Sequence, residues 1–562
     1  MKKYLTVFLA MSAAASFAWS EPQKKLISTG WMIPRNLEYY QIPAEKIEKD
    51  LPFDGINIGI DTTIIRDGKS VHYWVARNTA KSPIWLQKED FKEWIETFQK
   101  LKFKRLKHNF IGLNSSQFSP DWFDDKAWAK TINNHKVLTW LAKNMNCKGF
   151  ILDTEGYPFT GQPFAFRPQW GKSFAETEAK VRERGAQWIK AIAEEYPDIT
   201  IFCYIWSSDV YGLRYSQKKA DTVVETLALQ RAFMNGVYDA IPETVRIIDG
   251  NEDFGYHCAT EADFDKVAAD FRYYPRRIIA KENLGKYYKH TSMAFSLYLD
   301  SYMPGNRAPY NIWTKANGNP AKLLHRNIER CFERADEYVW IWAERGTFMP
   351  QLYPGHRYKA WDTYLPHTTE AIRAGRDPLT AAKKYAGKNV LKNSSMDPGP
   401  AAGITRVDNI HTVSYWYHWQ PKTSNGKITA ADGGIKFEQV RQGSVNQYYP
   451  GIKPGKRYLI TAKAKVDGDM MVPKLSCTFW GKDTKGRHGR YSTRKSAVFG
   501  PEEKDGWRKA YVLIDIPEDD SIAYAGICCA VGSAAGAAPG DINGSVLFDD
   551  VTMQEVIYPW DK

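Results

Sequence analysis

Between about residues 25 and 385, eight short apolar runs alternate with longer stretches of helical periodicity, and this alternation constrains the fold most. The runs are LIST at 26–29, GINIGI at 55–60, LKHNFIGL at 106–113, GFILD at 149–153, ITIFCYIW at 199–206, VRIID at 245–249, MAFSLYLD at 293–300 and YVWIWAE at 338–344. Short apolar runs of this kind are strands buried on both faces. Between them, 124–144 opens on acidic residues and carries Trp128, Ile132, Val137, Leu138 and Leu141 at near-helical spacing. Residues 174–196 and 322–336 follow the same pattern. Eight strand–helix units in one region predict an α/β fold, a (β/α)8 TIM barrel. An open doubly wound sheet is the alternative, but no strand–turn–helix here carries a Gly-rich phosphate loop.

From about residue 388 the helical periodicity stops. Residues 457–466 (RYLITAKAKV), 509–515 and 545–551 alternate, and turns such as PGIKPGKR at 450–457 punctuate them. This predicts an all-β sandwich, a jelly roll. The opening MKKYLTVFLAMSAAASFAWSEP has two lysines, an apolar stretch and then small residues, the pattern of a Sec-type signal peptide cleaved after Ala18 or Ser20. Its apolar stretch is shorter than the ~20 residues a membrane span needs. The expected organisation is a signal peptide at 1–20, a barrel at 21–387 and a sandwich at 388–562. The expected destination is the periplasm, the cell surface or the medium.

The formal net charge is +13, which favours an anionic partner. No dense Lys/Arg stripe accompanies a nucleic-acid motif, and the expectation is that nucleic acid is not the partner. The 20 Trp are mostly core filling, but exposed rings also stack on the C–H-rich faces of sugars. The seven cysteines are scattered and odd in number, with no zinc-ligand spacing and no disulfide framework, although a single bridge stays open.

In a barrel, the loops after the strands build the site, so polar residues at strand ends are the candidates. Strand four ends in Asp153 and Glu155, two apart and facing one way on an extended segment. Two close carboxylates raise each other's proton affinity, which suits one of them to act as a general acid. Tyr157 can donate a hydrogen bond to either. Strand six ends in IIDGNEDFGY, where Gly250 permits an unusual turn and Glu252 or Asp253 projects into the mouth. Strand eight ends in Glu344 and Arg345, placed either at the mouth or in a closing salt bridge. Strand seven offers Asp300, strand three Asn114 and strand two Asp61. Trp31, Trp206, Tyr256 and Trp342 are candidate walls of a sugar cleft. His257 stands beside Tyr256, His108 reads as structural, and Ser207 lacks a nucleophile elbow.

The signal peptide, the barrel with D-x-E-x-Y closing strand four and the C-terminal sandwich together resemble secreted barrel glycoside hydrolases carrying a carbohydrate-binding module. That resemblance implies an acid/base role for Glu155 by position. D-x-E also occurs in the chitinase-like families, whose longer signature is absent from KGFILDTE at 148–155. The C-terminal region resembles carbohydrate-binding jelly rolls of families 4, 9 and 22 through NVLKNSSMDPG, PGIKPGKRYLITAKAKV, DGWRKAYVLIDIP and SVLFDDVTM. It implies a structural calcium at Asp549 and a ligand-binding tryptophan among Trp416, Trp419 and Trp480.

The expected function is therefore hydrolysis of a polysaccharide or oligosaccharide by carboxylate acid/base chemistry, with no cofactor required. Glu155 is the general acid/base and Asp153 tunes it. Glu252 or Glu344 is the nucleophile or the base for water, acting with retention or with inversion. An acidic or sulfated glycan fits the charge. The alternatives are a non-catalytic, lectin-like surface protein with a degenerate barrel, or a structural envelope protein.

Overall fold

The computed structural model describes residues 24–30, 33–78, 82–118, 121–155, 161–208, 227–305, 310–353, 358–397, 415–431, 433–482, 488–519, 521–533 and 542–562. The signal-peptide segment, Trp31 and Tyr157 lie outside the described residues.

Eight parallel strands form the first unit. They are β1 (Lys25–Gly30), β2 (Gly55–Ile58), β3 (Phe110–Asn114), β4 (Gly149–Asp153), β5 (Thr200–Cys203), β6 (Arg246–Asp249), β7 (Thr291–Met293, resuming after Ala294 as Phe295–Tyr298) and β8 (Tyr338–Ala343). Each pairs in parallel with the next, and β8 pairs with both β7 and β1, from Lys25↔Tyr338 to Gly30↔Ala343, so the ring closes. The predicted (β/α)8 barrel is the observed fold. Its interior is filled by rings from alternate positions: Phe110, Phe202 and Tyr338 meet pairwise with centroids 5.7–5.9 Å apart. Above them Tyr204 stacks on Trp340 at 4.4 Å. The barrel is a packed core open only at the strand ends, as parallel barrels require.

The main helices begin at side-chain caps, and the third starts two residues before the span read from the sequence. Asp124 accepts from the Ala127 amide to start Asp125–Asn144, and Ser173 with Glu176 forms a capping box ahead of Phe174–Glu195. Asn319 caps Pro320–Arg334, with proline at the first turn.

Three of the strand boundaries that differ from the sequence reading bear on the site. β3 starts at Phe110 because residues 106–109 are a loop, in which the Asn109 side chain accepts from the Ile56 amide and donates to the Leu106 carbonyl. β5 stops at Cys203 and β7 at Tyr298, short of the runs that suggested Trp206 and Asp300 as strand ends. An antiparallel hairpin, Asp61–Arg66 with Lys69–Trp74, follows β2. It turns on Asp67 and Gly68, both at positive φ, the geometry that an Asp-Gly pair favours.

The chain divides into two compact units between Arg376 and Asp377. Helix Pro378–Tyr385, grouped with the barrel at the sequence level, belongs with the second unit: Lys383 lies 3.6 Å over the Tyr511 ring, and Tyr385 packs on Tyr558. That unit is the predicted sandwich. Its strands are β9 (Ala386–Asn389), β10 (Tyr417–Trp419), β11 (Lys427–Ala431), β12 (Gly434–Glu438), β13 (Gln442–Tyr449), β14 (Arg457–Asp467), β15 (Met471–Lys482), β16 (His488–Val498), β17 (Arg508–Asp515), β18 (Ile522–Ser533) and β19 (Ser545–Val556). One antiparallel sheet runs β11-β12-β19-β14-β17, with β9 also on β19, and the other runs β10-β13-β18-β15-β16. Alternate residues such as Phe437, Ile460, Leu475, Phe479, Ile527 and Phe548 fill the core between them.

Among the described residues no helix is long and apolar enough to cross a membrane. All seven cysteines are unpaired.

Candidate active site

A cavity of about 450 Å³ opens at the C-terminal ends of the barrel strands, within the size range of small-ligand sites. Four carboxylates line it: Asp153 and Glu155 after β4, Glu252 after β6 and Glu344 after β8. Asn114, Tyr256 and Trp342 line it as well.

The β4 end keeps the predicted alternation. Asp153 and Glu155 face the cavity, while Thr154 between them is buried and donates to the Ile205 carbonyl at 2.5 Å. The Glu155 amide donates to Asp153 Oδ1 at 2.9 Å, and Ser115 Oγ donates to the Glu155 carbonyl. These bonds fix the backbone that carries Glu155.

The β6 end makes its turn differently from the sequence reading. The left-handed residue is Asn251, with φ 56°, not Gly250. Gly250 is required by close approach, since a Cβ there would sit 2.8 Å from the Cys203 carbonyl oxygen and 2.9 Å from Tyr204 Cα. Trp340 Nε1 donates to the Gly250 carbonyl, and Ser296 Oγ bonds the carbonyls of Asn251 and Glu252. Glu252 then opens helix Glu252–Tyr256 and accepts from the Tyr256 hydroxyl at 3.0 Å.

Beneath this turn, buried Asp249 accepts from the amides of Ser207, Ser208 and Asn251 and from both serine hydroxyls. Ser207 is thereby tied to a structural carboxylate.

At β8, Glu344 has a donor on each oxygen: Trp342 Nε1 at 2.9 Å and the Tyr298 hydroxyl at 3.1 Å. Of the two placements predicted for the Glu344–Arg345 pair, each residue takes one. Glu344 lines the cavity, whereas Arg345 reaches Asp300 at 3.5 Å and does not line it. Asp300 is buried, accepts from the Glu344 amide at 2.9 Å and supports Glu344 from below, so it does not form cavity wall. Trp206 is buried too, donating to the Tyr238 hydroxyl at 2.7 Å, and is core. Both corrections follow from strands that end earlier than the apolar runs do.

His257 packs on Tyr310 away from the cavity lining. Burial lowers the His108 imidazole to about 4, and its Nδ1 contacts the Tyr338 hydroxyl, so it is structural.

Several cavity residues escaped the sequence reading, five of them with ring or charged side chains. Tyr204 and Tyr298 are the first residue beyond β5 and the last of β7, and correct boundaries would have found them. Arg35, Trp74 and Tyr310 come from loops and from the hairpin, where no periodicity points inward. The Arg35 guanidinium lies 4.7 Å over the Trp74 ring.

The phenols register how the carboxylates are disposed. Burial raises the Tyr310 hydroxyl above its ordinary range, and Asp253, Glu252 and Glu155 raise it further. Tyr204 is raised by burial and by Glu252 and Asp153. The β4 and β6 acids thus act on the same two phenols.

In the sandwich, Trp416 is buried and donates to the Asn393 carbonyl, whereas Trp419 and Trp480 stand on β10 and β15. Asp549 accepts from the Asp550 amide at 2.6 Å, and Asp550 pairs with Lys463. Burial raises the Asp549 carboxyl, the Asp550 amide and Lys463 oppose the rise, and the Asp550 and Asp397 charges add to it. A calcium shell takes about 6–8 oxygens. Among the described residues no three His, Cys, Asp or Glu side chains group as metal ligands.

No protein-family model and no curated protein matches the chain. Three solved structures illustrate its similarities. An Anoxybacillus alpha-amylase is 10% identical over 92% of this chain and 99% of that one, with a TM-score of 0.30. A family 4 carbohydrate-binding module is 19% identical over 25% of this chain and 86% of its own, with a TM-score of 0.17. The enzymatically active domain of bacteriophage CBA120 tailspike protein 4 is 12% identical over 25% of this chain, with a TM-score of 0.19; the match spans about a fifth of that chain (19%). Scores this low carry no argument about chemistry, and the fold assignment rests on the strand pairing itself.

Proposed function

We propose that the protein is an exported glycoside hydrolase whose barrel mouth cleaves a glycosidic bond between Glu155 and a second carboxylate. The observation that carries this reading is the meeting of Glu155, Glu252 and Glu344, from three separate strand ends, in one aromatic-walled cavity. Glu155 protonates the departing glycosidic oxygen, and the second carboxylate either attacks the anomeric carbon or takes a proton from the attacking water. Asp153, held by the Glu155 amide, keeps negative charge beside the acid.

Glu252 is the preferred partner of Glu155, because Tyr310 feels both. Glu344 has each oxygen engaged by a donor, which fixes the position of its carboxyl group beside the cationic transition state. Trp342, Tyr256 and Trp74 offer faces to sugar rings.

The test is hydrolysis of a broad glycan panel by the wild type and by Glu155→Gln, Glu252→Gln and Glu344→Gln. Loss of roughly 10²–10⁴-fold in kcat for Glu155→Gln, with glycan binding kept, supports the assignment. A wild type that binds glycans and cleaves none returns the barrel to the lectin-like reading.

A further inference from the structure

In the sheet β10-β13-β18-β15-β16, alternate residues face away from the core. Rings cross this outer face strand by strand. Tyr417 stacks on Tyr448 at 5.3 Å and 24°, Tyr448 meets Tyr524 edge-on at 5.4 Å, and Tyr524 stacks on Trp480 at 6.0 Å and 20°. Between the rings, β18 presents only small outward residues, Gly526, Cys528 and Ala530. A Cβ on Gly526 would lie 3.0 Å from the Tyr448 ring and 3.2 Å from Trp480 Nε1, so the two rings flank a floor that only glycine leaves open. Tyr448 is 49% exposed and Trp419, at the sheet edge, 46%.

The charge on this face has one sign. The five strands contain no Asp or Glu, yet among the described side chains their outward positions carry Lys474 and Arg494. The strands of the opposite sheet carry Glu438, Asp467, Asp515, Asp549, Asp550 and Glu555, and three of their cations are paired with acids of the same sheet: Lys436 with Glu438, Arg457 with Asp515, Lys463 with Asp550. On the acid-free face, Arg494 and Lys474 form no ion pair among the described residues. Arg494 Nη2 donates to Ser476 Oγ at 3.1 Å, which lays the guanidinium across β15 toward β18. Its charge reaches the floor: burial raises the Cys528 thiol, while Ser476, Arg494 and Ser444 lower it.

We propose that this face binds an anionic polysaccharide, with sugar rings against Tyr448 and Trp480 and a carboxylate or sulfate substituent on the Arg494 guanidinium. The carbohydrate part rests on the proposed function; the ligand's charge is the new element. Rings alone stack on neutral and anionic sugars alike. A planar guanidinium without a carboxylate partner, on a face stripped of acids, matches the oxygens of an anionic group and offers neutral hydroxyls far less.

The test uses the full-length protein at 0.15 M salt with three probes: polygalacturonate (carboxylate), kappa-carrageenan (sulfate) and neutral galactan. The expected result is at least tenfold tighter binding to one anionic glycan than to galactan. Arg494→Gln should lose about tenfold on that glycan with binding to galactan unchanged, and Tyr448→Ala and Trp480→Ala should each weaken it. Unchanged melting temperatures establish that the variants fold, and exposed Tyr448 serves if the Trp480 variant does not.

Equal affinity for galactan, or an Arg494→Gln variant that binds like wild type, overturns the charge inference and leaves the glycan reading standing. Binding insensitive to both ring variants is bulk attraction to a basic chain and also overturns it. Failure to bind any glycan, together with failure to hydrolyse any, overturns the proposed function itself.

Discussion

Asp300 shows how a residue outside the cavity controls one inside it. Its carboxylate accepts from the amide of Glu344, and burial raises its carboxyl to about 6, with the Glu344 charge adding to the rise and the Glu344 amide and Arg345 opposing it. A carboxyl raised above its unfolded value of about 4 stabilises the fold while protonated. That contribution is complete below about pH 4 and disappears as pH rises through about 6. Asp300→Asn stays neutral throughout, so its melting temperature relative to wild type should rise by a few degrees between pH 4.5 and 7.5. A pH-independent difference would contradict the raised carboxyl.

The sandwich tryptophans make a second comparison at this scale. Trp416 is 2% exposed with its ring nitrogen bonded, and Trp419 is 46% exposed. Trp416→Ala should cost about 3–5 kcal/mol in denaturant unfolding, and Trp419→Ala less than about 0.5 kcal/mol. The sequence named both as ligand candidates because neither local pattern tells an inward ring from an outward one.

At the scale of elements, the turn after β6 does the positioning. Gly250 lets the turn approach β5, Asn251 takes the left-handed conformation, and Asp249 draws five donors from the segment after β5 and from the turn itself. Gly250→Ala places a methyl against the backbone of Cys203 and Tyr204. It should cost roughly 1–3 kcal/mol in urea unfolding and lower kcat through displaced Glu252 and Tyr204, with Glu155 chemically intact. Wild-type kcat in that variant would show that the turn does not set the site.

Strand existence was legible from apolar runs, but strand ends were not. The run ITIFCYIW is apolar through Trp206, yet β5 pairs only to Cys203, because the ladder breaks where the chain turns to meet Asp249. Hydrophobicity reports burial, and the residues past the strand are buried as well. The hairpin after β2 could have been foreseen from Asp67-Gly68, a turn pair between alternating strands.

At the scale of the molecule, the two units divide at Arg376/Asp377, and helix Pro378–Tyr385 and β9 pack with the sandwich. A fragment spanning 377–562 should therefore fold cooperatively, and one spanning 388–562 should melt several degrees lower, having lost the Lys383–Tyr511 contact and the start of β9. Equal melting temperatures for the two would place the boundary later.

The sequence by itself determined the repeat of eight strands, the caps of the main helices, the change to β grammar and the facing of Asp153 and Glu155, because each follows from neighbours along the chain. Only the tertiary structure decided that Glu344 enters the cavity while Arg345 turns to Asp300, that Trp206 is core, and that Tyr204, Tyr310 and Arg35 complete the wall. Those outcomes depend on where the ring of strands closes and on which buried groups find partners across it, and no local period of the chain encodes either.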